Sequence, residues 1–226
     1  MTIDFADFSK ASGAIHLIQG AALLLLGAAE AYAIDNAGRK AGLAAGGALA
    51  LSGAAMFGVI LALPGGWDLG QLSEALAARR GFYLFVAMAC VFCAAGLSLI
   101  TGAALGRQGG GWQAVFLALL AFAGLLYFSL GWRFQDQPRE ALVWHYAMGA
   151  TLLLAVAARA ADFLLKRRPL RLAWAVLLLA TGLQLVTYKE GADTFAPKLI
   201  TIEATSETPP PAVNDAKPAD KKRAAD

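Results

Sequence analysis

His16 and His145 are the two histidines of the chain, and both fall inside long apolar stretches. Histidine at membrane depth is uncommon and usually faces the interior of a helical bundle. Each is followed fourteen residues later by a charge: Glu30 after His16, Arg159 after His145. Fourteen residues make about 21 Å of helix, close to four turns. Each helix would therefore carry an imidazole near one end and a charge near the other, on roughly one side. If the two helices run in the same direction and touch, the imidazoles meet at one depth. Glu30 then neutralises Arg159 at the other depth, where neither could stay alone cheaply.

The most specific chemistry for such a pair is axial ligation of a b-type haem, with His16 and His145 on the iron. Gly20 and Gly149, each four residues past a histidine, would let the flat macrocycle lie against backbone. Arg79, Arg80, Arg133 and Arg139 fall on the same membrane side and would meet the propionates. Electrons would pass to a quinone near Gln19, Gln184 or Tyr188. A copper site from His16, His145, Met88 and Met148 ranks below haem. Thioethers suit Cu(I), but Met88 would have to shift toward the histidine face.

Plainer readings weigh against these. A histidine near a span end is often a hydrogen-bonded packing residue, and glycine is common wherever membrane helices approach closely. Two ligands alone are a thin metal signature. Cys90 and Cys93 lie about nine residues into an apolar segment, where small buried hydrophobes are a better reading than a redox pair. The run from His16 to Leu25 resembles that from His145 to Leu154, through an internal duplication or through shared Ala/Leu bias. Gly42-x-x-x-Gly46 and Gly102-x-x-x-Gly106, with Ala50, Ala54 and Gly58, form small-residue seams for close helix contact or for another membrane subunit. Phosphate-loop, nucleophile-elbow and His-Glu-x-x-His motifs are absent. The weighing favours a non-catalytic accessory or assembly subunit of a larger membrane complex. The haem electron-transfer protein is one alternative; a small-solute transporter using Glu30 and Arg159 is another.

The elements that must position these residues follow from composition. Of 226 residues, 58% are hydrophobic and 15% charged, against about 45–50% and 25% in soluble domains. A soluble globule lacks a surface at that balance, and net charge +3 carries no nucleic-acid footprint. The expected class is an all-α integral membrane protein in a bacterial-type cytoplasmic membrane, with lipid as its surroundings. Segments of about 20 apolar residues place six spans at 13–33, 41–63, 81–105, 112–131, 141–165 and 170–188, forming one transmembrane domain over residues 1–190. Spans one and five then run in the same direction.

Between spans two and three, Leu69, Leu72 and Leu76 at helical spacing suggest a short interfacial helix, or a lid over a site. Residues 191–226, with Pro209-Pro210-Pro211, read as a disordered polar tail, in which Leu199–Ile202 could pair as a strand. Trp67, Trp112, Trp132, Trp144 and Trp174 fall near span ends, as an aromatic belt would. Ala31-Tyr32-Ala33 has the look of a cleavage site, but Asp4, Asp7 and Glu30 contradict a signal peptide. Basic residues divide evenly between the two sides. The dense loop from Lys166 to Arg171 tips the orientation toward both termini outside the cytoplasm.

Overall fold

A computed structural model describes residues 5–36, 38–78, 80–106, 110–133 and 139–189. The tail expected over 191–226, the strand at Leu199–Ile202, Arg79 and the loops at 107–109 and 134–138 lie outside the described residues. Side chains at 5, 80 and 130–133, including Trp132 and Arg133, lie outside them as well.

Among the described residues there are seven α-helices, one 3-10 turn and no strand. They are α1 (Phe5–Asp35), α2 (Arg39–Ala62), α3 (Leu69–Ala78), the turn at Arg80–Phe82, α4 (Tyr83–Leu105), α5 (Gly110–Arg133), α6 (Arg139–Leu165) and α7 (Arg168–Thr187). Six of these are long and apolar enough to cross a bilayer. Helices suit that role because lipid offers backbone N–H and C=O groups no other partners. The outward residues agree: Leu25, Leu51, Leu97, Leu125 and Leu154 are all exposed, on separate helices, which a water-soluble surface would not tolerate. The chain is a polytopic integral membrane protein.

The principal helix pairs close into a ring, in the order α1, α2, α4, α5, α6, α7 and back to α1. Helices α1 and α6 are thus separated on the ring by α7 rather than packed side by side, and their side chains meet across the interior.

Two glycine seams set the tightest pairs, α2 with α4 and α1 with α7. A Cβ added at Gly53 of α2 would stand 2.5 Å from Cys93 N and 2.6 Å from Ala89 O of α4. Gly96 of α4 lies equally close to Ala50 and Gly46 of α2. On the next seam, a Cβ at Gly182 of α7 would stand 2.8 Å from Gly20 O. Only small residues let backbones approach so closely. Of the expected seam residues, Gly46 and Ala50 are in it, whereas Gly58 and Gly106 face open space.

Two elements depart from expectation. Helix α1 begins at Phe5, well before residue 13, because its apolar face continues. Phe8, Ala11 and Ile15 are fully buried, and Phe8 meets Phe82 edge-on at 5.0 Å. Trp174 is no belt residue: it is fully buried and packs edge-on against Phe116 at 6.4 Å. Trp67 and Trp112 are exposed, as a belt requires.

The interfacial helix α3 forms as expected, with Asp68 Oδ1 accepting the Gln71 N–H at 2.8 Å as its N-cap. Leu76 is buried, Leu72 is half-buried and Leu69 is exposed. The apolar stripe is therefore narrower than the spacing implied.

Candidate site between the two histidines

His16 and His145 are buried and face each other across the ring, with centroids 5.7 Å apart and planes at 73°. His145 lies six residues into α6, about 9 Å from its start. Each Nδ1 is tied to the carbonyl one turn back: His16 Nδ1 to Ser12 O at 2.9 Å, His145 Nδ1 to Ala141 O at 2.7 Å. A carbonyl only accepts, so Nδ1 carries the hydrogen in both rings. In the neutral imidazole that leaves the lone pair on Nε2. Among the described residues neither Nε2 has a hydrogen-bond partner. Both rings are thus fixed from behind through Nδ1 with Nε2 left as the free donor atom, which is how metal-binding histidines are oriented.

Other helices complete the surroundings. Tyr127 of α5 donates its hydroxyl to Gln19 Oε1 of α1 at 3.1 Å, both buried. Gln19 Nε2 is buried without a partner. Phe85 of α4 stands edge-on to His16 at 5.5 Å. A cavity of about 40 Å3 is lined by both histidines, Gln19 and Tyr127, together with Met88 and Gly81. On that scale a water needs about 10–15 Å3, so the space suits a few waters or a single ion. Gly81 belongs to the 3-10 turn, and no residue of α3 lines the cavity.

Tyr188 decides what fits. It follows the last residue of α7, where the backbone turns extended, and its buried ring stands 4.9 Å from His16 and 5.1 Å from His145. Nearly equidistant from both, it lies on the plane midway between them. A macrocycle ligated by both rings would occupy that same plane. Neutral imidazole donors suit a haem iron chemically; the Tyr188 ring does not fit the porphyrin.

The glycines assigned to haem packing sit elsewhere. Gly20 abuts α7, where a Cβ would lie 2.6 Å from Val186, and Gly149 abuts α5, 2.8 Å from Phe128. Both serve helix seams, because a residue four positions past a histidine is turned about 40° from it around the helix. Of the copper set, Met88 lines the cavity without displacement, whereas Met148 is buried outside its lining. Among the quinone candidates, Gln19 is in the site and Gln184 Nε2 faces Thr151 at 3.4 Å. Cys90 is exposed on α4, and Cys93 Sγ donates to Ala50 O at 3.4 Å across the glycine seam. No group of three His, Cys, Asp or Glu among the described residues is placed to share a metal.

At the other face, Glu30 and Arg159 do meet, at 3.7 Å. Arg159 has a closer partner that the sequence reading passed over, Asp162 on its own helix at 3.2 Å. The i,i+3 spacing of the pair was its available signal. Asp162 also lies 3.7 Å from Arg171 of α7, and Arg168 binds Asp35 at 2.8 Å. The ion pairs form a network binding α1, α6 and α7. Compared with protein-family models, with curated proteins and with solved structures, the chain matches none.

Proposed function

We propose that this integral membrane protein holds one metal centre between His16 and His145, as a small membrane metalloprotein. The observation that carries the reading is the pair of imidazoles 5.7 Å apart, each with Nδ1–H anchored to its own helix and Nε2 unpartnered. Lone pairs so placed call for an electron-pair acceptor. A single soft ion, Cu(I), is the first source: the cavity is ion-sized and Met88 adds a thioether. Haem b is the second, favoured by the two imidazole donors; it requires the rings to draw slightly apart and Tyr188 to swing out of the midplane. Electron exchange with a quinone belongs to this proposal, with Gln19 Nε2 as a donor to a carbonyl oxygen.

An accessory role in a larger complex draws less support. The tightest glycine seams are spent on contacts within the chain. A transporter path draws little, since Glu30 and Arg159 already neutralise each other within the ion-pair network. By the positive-inside rule the Lys166–Arg171 loop is cytoplasmic and the histidine face lies opposite.

The test is the optical spectrum, oxidised and dithionite-reduced, with elemental analysis of detergent-purified protein from cells supplied with copper and haem precursor. A Soret band assigns haem; one equivalent of copper without it assigns the bare ion. Either is lost in His16→Ala and in His145→Ala. A colourless, metal-free protein overturns the reading.

A further inference from the structure

At the membrane face opposite the histidines, a cleft of about 400 Å3 opens between the end of α6 and the start of α7. Its walls are Arg159, Asp162, Phe163, Lys166 and Arg171. Asp162 is already engaged by both arginines and Glu30 pairs with Arg159 from α1, so three cations stand against two carboxylates and one positive charge is left over. Arg159 Nε is buried without a hydrogen-bond partner. Its guanidinium lies 5.4 Å over the Phe163 ring, within cation–π range.

Lys166 closes α6 at the edge of the cleft. Its φ is 49°, in the left-handed region, and its N–H donates to Asp162 O at 2.7 Å, closing α6. Glycine normally fills this helix-ending position, because a side chain there is strained. The Lys166 side chain lines the cleft together with those of Arg159 and Arg171.

We infer that the cleft binds the phosphate of an anionic phospholipid. Arg159 lies six residues inside the end of α6, about 9 Å along the axis, so the cations span headgroup depth. Phe163 is half-exposed apolar wall at the same boundary. Cations above an apolar wall match a phosphate carried on acyl chains better than a free anion, and basic pockets between spans are where such headgroups bind. The net positive wall disfavours phosphatidylcholine, whose own cation neutralises its phosphate.

Full-length protein in detergent is titrated with phosphatidylglycerol, with phosphatidylcholine and with inorganic phosphate. Retention is read by native mass spectrometry and melting by thermal shift. Phosphatidylglycerol is expected to bind best. Lys166→Gly and Arg171→Gln should each weaken it about fivefold, the worth of one basic residue near an anionic headgroup. Lys166→Gly should melt no lower than wild type, since glycine relieves the left-handed strain, which separates lost binding from lost folding. Arg167→Gln removes a cation from the same loop outside the cleft and should leave affinity unchanged. Equal weakening by Arg167→Gln, equal retention of phosphatidylcholine, or a full thermal shift from inorganic phosphate alone would each overturn the inference.

Discussion

Tyr188 has the largest consequence of any single side chain, because it shares a contact surface with both imidazoles. Tyr188→Phe keeps the ring between them and should leave the site and the melting temperature nearly unchanged. Tyr188→Ala empties a buried aromatic position, at about 3–5 kcal/mol of stability. It should also admit a porphyrin where the ring stood. Haem titration followed at the Soret band should therefore show greater uptake by Tyr188→Ala than by wild type. Equal uptake would mean the ring is no barrier.

The histidines were legible as a pair because an imidazole at membrane depth is rare enough to mark itself, and because the first and fifth spans, four spans apart, must run in the same direction. Tyr188 was legible only as a residue near a span end. That its ring turns inward depends on the extended backbone after Thr187 and on where α7 sits in the ring, and neither has a local signature. Gly20 and Gly149 show the same limit. Their spacing from the histidines was visible, whereas the neighbours that claim their faces are set by helix packing.

Helices are held here by close approach more than by matching large side chains. A side chain at Gly53 or Gly96 must displace the backbone of the facing helix. Gly96→Leu should accordingly cost at least about 3 kcal/mol, the upper end for overpacking. Gly47 lies on the same helix as Gly53 but faces open space. Gly47→Ala should be neutral or stabilising by up to about 1 kcal/mol, the helical preference for alanine. Thermal melting of both variants in one detergent checks the contrast; similar losses would mean the seam is not what holds α2 to α4.

Composition and segment length made the six spans plain, since lipid forces helices of nearly fixed length. Their ends were less visible. The first ten residues look polar, with Asp4, Asp7 and Lys10, and only the inward run of Phe8, Ala11 and Ile15 carries α1 beyond the membrane-length core. Trp174 resembled a belt residue by position along the chain, but its rotation around α7 places it inside.

The whole molecule carries a polar cluster at each end of its interior. One is neutral and aromatic around the histidines; the other is an ion-pair network around Asp162. Asp162 bridges Arg159 and Arg171, so Asp162→Asn strands Arg171 and leaves Arg159 only its longer contact with Glu30, and should cost about 1–3 kcal/mol. Glu30→Gln leaves Arg159 its shorter contact with Asp162 and should cost less than about 1 kcal/mol. Melting temperatures in that order support a network centred on α6; the reverse order would centre it on Glu30.

The central claim is that Nε2 of His16 and Nε2 of His145 share one metal. X-ray absorption at the edge of the metal in purified protein tests it most directly. Two imidazole nitrogens at about 2.0 Å, an ordinary metal–histidine distance, are expected in wild type, falling to one in either single alanine variant that still retains metal. A bound metal with no imidazole scatterers, or with the same shell in wild type and in His145→Ala, would contradict it.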